Sequence, residues 1–191
     1  MDDRLFERTL IPLQAPVEDD PTPLRFAAVL ALLMPDQRSN ASDRLLFIER
    51  ANDLRTHGGQ LAFPGGKLEP EDPDLLSTAL REASEEIGLD PQQVRVFGRL
   101  EPVPTPTGYL VVPFVGRADG EFVPKPVGHE VAKILTPSLD ELCRPEIHRV
   151  TGSRSWRGRT FDLHEFAIHT PPLWGATARM VWDLLQRLAL T

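Results

Sequence analysis

Three glutamates stand within one short segment of the chain, REASEEIGL (81–89). Glu82 and Glu86 are four residues apart and would share one face of a helix, with Glu85 beside them. Like charges at this spacing repel each other, and the carboxyl-terminal end of a helix is unfavourable for anions. A hard divalent cation such as Mg²⁺, which prefers oxygen ligands, would remove both penalties. The alternative is a solvated acidic face in which Arg81 reaches Glu85 one turn away.

The segment 72–88 has the pattern of the helix that must position these carboxylates. Its apolar residues recur at spacings of four, three and four, which places them in one stripe facing a core. Asp72 is predicted to cap the start of this helix, with Pro73 and Asp74 in its first turn. Gly88 is predicted to end it. The apolar stripe consists of Leu76, Leu80, Ala83 and Ile87.

A glycine-rich loop, GGQLAFPGGKLEPED (58–72), leads directly into the helix. The adjacent residues Gly65 and Gly66 allow the backbone to approach a ligand closely and to present peptide groups to it. Two glycines alone also fit an ordinary turn. Loop and helix together form a longer pattern, in which a glycine is followed by an acid and then by Arg-Glu-x-x-Glu-Glu-x-Gly and an aliphatic residue.

The segment GGKLEPEDPDLLSTALREASEEIGL (65–89) resembles the signature box of the Nudix hydrolases, which cleave a nucleoside diphosphate linked to another moiety. The resemblance implies an α/β fold, an α/β/α sandwich around a mixed sheet, in which the box forms a loop–helix–loop. It also implies a bound Mg²⁺ or Mn²⁺. Glu82 and Glu86 would be the principal ligands, with the carbonyl of Gly66 as a further one. Glu85 would be either another ligand or the catalytic base.

Arg81 matches the arginine of the box that orients the glutamates. One position departs from the usual spacing. Five residues separate Gly66 from Asp72, as expected, but eight separate Asp72 from Arg81, one more than in the usual box. Aspartate also replaces the usual glutamate. Asp72 is therefore interpreted first as the helix cap, with a metal ligand as the alternative.

The stretch before the box, LLFIERANDLRTHGGQLAFPGGK (45–67), resembles the coenzyme A pyrophosphatase subfamily of Nudix hydrolases. The segments 105–116 and 173–185 resemble it too. This implies hydrolysis of the pyrophosphate of coenzyme A or a derivative, giving 3′,5′-ADP and 4′-phosphopantetheine or its acylated form. The matching residues of the first stretch are Leu45, Leu46, Arg50, Leu54, Arg55, His57, Gly59, Gln60, Phe63, Pro64, Gly65 and Gly66.

Three groups upstream of the glycines could bind the phosphates of such a substrate: Arg50, Arg55 and His57. Arginine forks suit phosphate oxygens, and coenzyme A carries a 3′-phosphate besides its pyrophosphate. The backbone of Gly65 and Gly66 would complete the substrate site. Each charged group could equally be a surface charge or a salt-bridge partner, and His57 could bond the loop backbone.

The catalytic base has two candidates. Glu85 is close enough by its position in the box. Glu130, in the later segment GHEVAKI, is the other, because some Nudix enzymes use a glutamate on such a segment; it also fits a solvent-facing strand end. The neighbouring His129 has no better claim.

Two other functions stay open at this point. The chain could be a Nudix hydrolase of ADP-ribose, NADH or an oxidised nucleotide, or a Nudix-fold binding module without turnover. The complete set of glutamates in REASEEIGL favours an enzyme over a binding module.

Composition excludes several other classes. The net charge of −7 over 191 residues argues against nucleic acid as the main partner and leaves room for a local basic pocket for phosphate. A small-molecule substrate is what the Nudix resemblance implies. Cys143 is the only cysteine, so no internal disulfide can form, which fits a reducing compartment and predicts a cytoplasmic protein. The charged start MDDRLFERTL is not a signal peptide, and no apolar run is long enough to span a membrane.

Strands and helices alternate irregularly around the box. A predicted hairpin of strands 25–35 and 44–51 precedes the first long helix, which favours an α+β or mixed-sheet α/β domain over a doubly wound parallel sheet. Residues 1–24 are predicted to form an N-terminal arm and 25–191 the Nudix domain. Further strands are predicted at 94–100, 109–118 and 159–168, and helices at 137–143 and 173–190. The last helix would turn Thr177, Val181, Leu184 and Leu188 to the core.

Overall fold

The computed structural model describes residues 3–17, 24–36, 42–53, 58–120, 122–156 and 158–190. Among these residues, no helix has the length and apolar character needed to cross a membrane. The helices are α1 (Asp3–Thr9), α2 (Leu75–Ile87), α3 (Leu139–Leu142) and α4 (Gly175–Arg187), with a 3₁₀ turn at Pro91–Gln93. The strands are β1 (Arg25–Met34), β2 (Arg44–Leu45), β3 (Phe47–Arg50), β4 (Leu61–Ala62), β5 (Gly65–Lys67), β6 (Val94–Arg99), β7 (Val103–Pro104), β8 (Tyr109–Ala118), β9 (Val131–Leu135), β10 (His148–Trp156), β11 (Arg159–Phe166) and β12 (Leu173–Trp174).

The central sheet is mixed and is built around the parallel pair β1 and β8. On the far side of β1, strands β2 and β5 add antiparallel; on the far side of β8, strands β6 and β7 do the same. A parallel pair requires a long crossover connection, and this one contains α2. The predicted mixed sheet is therefore confirmed, and it brings the glutamate helix onto one of its faces.

The side chains of β1 show how the layers are arranged, because successive residues of a strand point to opposite faces. Ala28, Leu30 and Leu32 pack in the core beneath α2, whereas Ala31 and Leu33 pack in the core beneath α1 and α4. All five are fully buried. The sheet thus lies between α2 on one face and α1 with α4 on the other, which is the predicted α/β/α sandwich.

The predicted strand 44–51 is divided at Leu46. The part before Leu46 pairs with β1, whereas β3 pairs antiparallel with β9 and β4 in a second, three-stranded sheet. Arg50 therefore ends a strand of this second sheet. A third sheet has the order β10-β11-β12 and contacts α4.

Helix α2 begins later than predicted. Asp74, not Asp72, is its cap: the Asp74 carboxylate accepts a hydrogen bond from the Ser77 N–H at 2.7 Å. The predicted end is confirmed, because Gly88 has a φ of 70° and its N–H bonds the Ser84 carbonyl. Moving the start by two residues frees the Asp72 carboxylate for another role, described below.

Helix α4 differs from the prediction at one position of its buried face. Val181, Leu184 and Leu188 are buried as expected. Thr177 is only partly buried, and its neighbour Ala178 takes the core position instead. The change amounts to a rotation of the buried face by one residue at the first turn, where the helix follows directly from β12.

Strand β10 covers a stretch for which the sequence predicts no element. Its residues 149–155 are exposed and mostly polar, so they show no alternation of apolar and polar side chains. Its strand conformation comes from pairing with β11 along its length.

Residues 3–17 pack against both cores: Phe6 lies in the core beneath α1 and α4, and Leu13 and Val17 pack against the core beneath α2. Phe6 is fully buried and stacks on Phe97 with ring centroids 4.9 Å apart. The buried guanidinium of Arg99 donates to the carbonyls of Ala15 and Pro16. The division into an arm and a domain at residue 25 stays a prediction, and in the fold this first segment contributes to both cores.

Candidate metal and pyrophosphate site

Glu86 is the most buried carboxylate of the helix, with 6% of its surface exposed. It accepts a hydrogen bond from the Gly65 N–H at 2.9 Å, and Arg50 Nη1 lies 3.8 Å from its other oxygen. The pKa of Glu86 is raised to about 7, chiefly by burial and in smaller part by the nearby Glu82 and Glu130, while the Gly65 N–H and Arg50 act in the opposite direction. The helix therefore holds a carboxylate where additional positive charge would be stabilised.

Glu82 lies against the backbone of the glycine loop. A Cβ placed on Gly66 would stand 2.2 Å from Glu82 Oε1, so no other residue fits there without displacing the carboxylate. Gly65 is equally constrained: its φ is 154°, and a Cβ would stand 2.3 Å from the Ala28 carbonyl oxygen. Burial raises the pKa of Glu82, partly opposed by Arg81. The two glycines are thus required for the close approach of loop and helix.

Arg81 links the loop to the helix. Its Nε and Nη2 each donate to the Asp72 carboxylate at 2.9 Å, a bidentate pair. Its Nη1 donates to Glu82 at 3.0 Å and to the more exposed Glu85 at 3.3 Å. Its Nη2 also reaches the Lys67 carbonyl at 3.3 Å. Arg81 is therefore placed to orient the glutamates.

Asp72 completes this arrangement. The hydrogen bonds from Arg81 hold the pKa of Asp72 well below its usual range. The same carboxylate accepts from the Thr78 hydroxyl and the Glu69 N–H. Its interpretation as the helix cap was wrong, because the loop turns it inward to hold Arg81. Sequence reasoning missed this contact, since no local spacing relates residues nine positions apart across a loop.

Arg50 brings a carboxylate from outside the box into the site. Its Nη2 lies 3.2 Å from Glu130 Oε2 and its Nη1 faces Glu86. The pairing of β3 with β9 makes this possible, and the Ala51 N–H bonds the Glu130 carbonyl at 2.8 Å. Glu130 is about half exposed, and its neighbour His129 lies on an exposed turn. The structure therefore brings Glu130 together with the helix glutamates.

Of three other residues considered from the sequence, the structure describes one. Arg55 and His57 are outside the described residues. Cys143 ends α3 and is half-buried against the core beneath α4, and burial raises the pKa of its thiol. Its environment is that of an unreactive core thiol.

The donor set suits a hard divalent cation. Carboxylate oxygens of α2 lie against the glycine loop, where Glu86 is bonded by the Gly65 N–H and Glu82 lies close to Gly66. Across the described ranges, no three His, Cys, Asp or Glu side chains are already gathered as a metal centre. Mg²⁺, however, is commonly held by one or two carboxylates together with substrate phosphates and water. The residues present fit such an ion.

A model of the NUDIX domain matches residues 24–156, which include the loop, α2, Arg50 and Glu130. This chain belongs to the Nudix family. An uncharacterized Nudix hydrolase, NudL, of Photorhabdus laumondii is 38% identical over 145 residues, covering 75% of this chain and 76% of the relative. Nudix hydrolase 15, mitochondrial, of Arabidopsis thaliana is 35% identical over 173 residues, covering 86% of this chain and 59% of that protein.

Solved structures agree on the fold. A Nudix hydrolase from M. smegmatis, RenU, superposes with a TM-score of 0.57 at 17% identity, covering 86% of this chain and 85% of that one. A MutT/nudix family protein from Enterococcus faecalis gives a TM-score of 0.56 at 17% identity, covering 92% and 66%. The Nudix family comprises hydrolases of nucleoside diphosphate compounds that generally use divalent cations, so this Nudix chain is an enzyme of that class.

Proposed function

We propose that this Nudix hydrolase cleaves the pyrophosphate of coenzyme A or a coenzyme A derivative, giving 3′,5′-ADP and 4′-phosphopantetheine or its acylated form. The choice of substrate is supported by the resemblance of segments 45–67, 105–116 and 173–185 to coenzyme A pyrophosphatases. The single cysteine fits a reducing compartment, and we propose the cytoplasm as its location.

The observation that carries a pyrophosphatase function is the meeting of three chain segments at one point. The loop at Gly65 and Gly66, the helix carboxylates Glu82 and Glu86, and the Arg50–Glu130 pair all lie side by side. A pyrophosphate needs both positive charge on its oxygens and a group to accept a proton from water. This combination of donors and acceptors supplies both.

The proposed metal ligands are Glu82 and Glu86, with Glu85 and the Gly66 carbonyl as further ligands. Mg²⁺ or Mn²⁺, when bound, would neutralise charge on the phosphate oxygens and activate water. Arg81 would keep Glu82 and Glu85 oriented, and Asp72 would keep Arg81 in place.

Glu130 or Glu85 is the proposed base. Both are more exposed than Glu86, so water can reach them. The base would take a proton from the attacking water while the oxygen of that water forms a bond to one phosphorus. The bridging P–O bond then breaks, and the second phosphate leaves with the bridging oxygen. Arg50, Arg55, His57 and the peptide groups of Gly65 and Gly66 are proposed to hold the substrate.

A substrate panel tests the proposal. Phosphate release would be measured, through a coupled phosphatase, from coenzyme A, 3′-dephospho-coenzyme A, ADP-ribose, NADH and an oxidised nucleotide. Coenzyme A should have the highest kcat/KM, and its cleavage should need a divalent cation. Preference for another compound would refute the substrate. Absence of turnover with every compound and metal would favour a binding module.

The role of Arg55 can be tested on the same panel. If Arg55 binds the 3′-phosphate, Arg55→Ala should lower kcat/KM for coenzyme A about ten- to a hundredfold, the effect of one charge-assisted bond. Activity on 3′-dephospho-coenzyme A should barely change. An equal loss on both substrates would place Arg55 at the pyrophosphate or in the fold.

A further inference from the structure

A cavity lies apart from the Nudix box, between α4, strand β11 and the start of β7. Its volume is about 330 Å³, at the lower end of the range of small-molecule sites. Phe161 and His164 of β11 line it, together with Arg179, Trp182 and Asp183 of α4. The box carboxylates lie on the other face of the central sheet, so this cavity is not part of the metal site.

Arg179 presents a guanidinium to this cavity without a bonded anion. Among the described residues it makes neither a hydrogen bond nor an ion pair, and its guanidinium carbon lies 3.9 Å from the centroid of the Phe161 ring. Burial lowers the pKa of Arg179, and Asp183 and Glu101 oppose this only from beyond bonding distance. A half-buried cation is ordinarily compensated by an acceptor, and a planar guanidinium suits a phosphate best. That acceptor is missing from the protein's own described groups.

A second arginine stands close to the same ring. Arg154 lies directly opposite Phe161 in the pairing of β10 with β11, and directly opposite residues project on the same face of a sheet. Arg154 is exposed, and in the described part of the chain it makes neither a hydrogen bond nor an ion pair. Two cations without a bonded anion are therefore near Phe161: Arg179, which lines the cavity, and Arg154, which is the cross-strand neighbour of Phe161 and lies outside the lining.

The other groups of the cavity suit a nucleoside. Trp182 is held by the stacked rings of His148 and His164, at centroid distances of 4.2 and 5.0 Å, and offers an aromatic wall. Three carboxylates line the cavity, those of Glu101, Asp162 and Asp183. Those of Asp183 and Glu101 are directed to Arg187 at 3.0 and 3.5 Å. Their oxygens can still accept from amino and hydroxyl groups, and their charge disfavours a polyphosphate.

We propose that this cavity binds a nucleoside monophosphate group, with its phosphate on Arg179 and Arg154 and its base against Trp182. The group has two sources: the nucleotide end of the substrate reaching around the sheet, or a separate nucleotide. The proposal does not depend on coenzyme A being the substrate.

Calorimetric titration of metal-free protein tests binding itself, with AMP, 3′,5′-ADP and adenosine as probes. Both nucleotides should bind, and adenosine should bind at least about tenfold more weakly because it lacks the phosphate. Arg179→Met and Arg154→Met should each weaken AMP binding about ten- to a hundredfold. Arg149→Met is the matched control, because Arg149 is an exposed arginine of the same strand as Arg154 but is paired with Glu165, away from Phe161.

Arg154 is exposed, so its variant tests the proposal even if Arg179→Met fails to fold. Circular dichroism would show whether each variant folds. Failure of wild type to bind either nucleotide, equal binding of AMP and adenosine, or unchanged binding in folded Arg154→Met and Arg179→Met would each overturn the proposal.

Steady-state kinetics distinguish the two sources. If the cavity holds the nucleotide of the substrate during turnover, Arg154→Met should raise KM for coenzyme A with kcat nearly unchanged. If the nucleotide is separate, KM for coenzyme A should not change in Arg154→Met. Arginine-dependent AMP binding without any turnover of coenzyme A would refute the proposed substrate and leave this site standing.

Discussion

At the scale of single residues, the site depends on how carboxylates are held against backbone. Glu86 is buried with one N–H donor and one distant guanidinium, and Glu82 touches a glycine that has no space for a side chain. Both pKa values are raised because burial disfavours the charged form. A bound cation therefore stabilises these buried carboxylates more than it would stabilise exposed carboxylates.

Glu86→Gln should keep the fold and lose most activity, because the amide keeps the shape of the side chain and removes the charge that a divalent cation requires. Turnover would be measured over a series of Mg²⁺ concentrations, with circular dichroism to check folding. Ser84→Ala, on the exposed face of the same helix, is the control. Near-normal turnover of Glu86→Gln at every Mg²⁺ concentration would rule out the metal role.

Gly66→Ala should lower activity strongly, since its Cβ would meet Glu82 Oε1 at 2.2 Å and push the carboxylate away from the loop. The matched control is Gly120→Ala, where a Cβ meets no described atom within 4 Å. Both kcat and the Mg²⁺ dependence would be measured. Equal activity of the two variants would show that the contact between Gly66 and Glu82 is not needed.

At the scale of elements, the loop and α2 are joined by one guanidinium. Arg81 contacts Asp72 on the loop side and Glu82 and Glu85 on the helix side, so it fixes the relative position of the two segments. Helix α4 and the pair β10–β11 are joined differently, by the stacked rings of His148, His164 and Trp182.

Asp72→Asn should weaken the hydrogen bonds that fix Arg81. The Mg²⁺ concentration needed for half-maximal activity should then rise about ten- to a hundredfold, which is the usual effect of changing a residue that orients a metal ligand. Asp74→Asn is the control, because asparagine caps a helix as well as aspartate does. An unchanged Mg²⁺ requirement in Asp72→Asn would mean that Asp72 does not position the ligands.

The stacked pair of His148 and His164 should make the free energy of unfolding decrease as the pH is lowered. Burial lowers the pKa of His148 and of His164, and Arg179 lowers that of His164 further while Asp162 opposes it. Below the unfolded-state pKa of 6.5, the unfolded chain takes up protons that the native pair does not, so the free energy of unfolding decreases. Above it, both states are neutral and the pair has no effect.

Urea unfolding at a series of pH values between about 7 and 5 would measure this slope. The double variant His148→Gln/His164→Gln should have a smaller acid-side loss than wild type, and His129→Gln, at an exposed position, should match wild type. If the unfolding free energy had the same pH dependence in the double variant and in wild type, the pair would have the same pKa values in the folded and the unfolded state.

At the scale of the whole molecule, two cores on either face of one mixed sheet hold the fold together. The first segment of the chain belongs to one of them through Phe6, which is fully buried and stacked on Phe97. That core lies beneath α1 and α4, on the face away from the box. Stability and activity should therefore respond separately to changes in the first segment.

Phe6→Ala should cost about 3–5 kcal/mol of unfolding free energy, as expected for a buried phenylalanine, with little change in kcat of the folded protein. Leu5→Ala, at a partly buried position of the same helix, should cost less. Chemical unfolding and turnover at low temperature would measure both. A large loss of kcat in folded Phe6→Ala would show that this core supports the site directly.

The sequence by itself determined the local features. The spacing of Glu82 and Glu86 and the end of α2 at Gly88 follow from helical period and from the backbone freedom of glycine. Of the predicted apolar stripe, Ala83 and Ile87 are fully buried, whereas Leu76 and Leu80 are only partly buried. The mixed sandwich followed from the family resemblance and from the order of strands and helices. The helix features depend on neighbours within a few residues, so a short stretch of sequence is enough to predict them.

Only the tertiary structure decided the contacts between distant segments. The pairing of β3 with β9 brings Arg50 to Glu130, and the loop turns Asp72 to Arg81 when a helix cap was expected. Polar β10 becomes a strand because β11 pairs with it, and Arg179 reaches Phe161 because α4 packs on that sheet. Such contacts depend on strand register and packing geometry, which many distant residues set together, so no local pattern contains them.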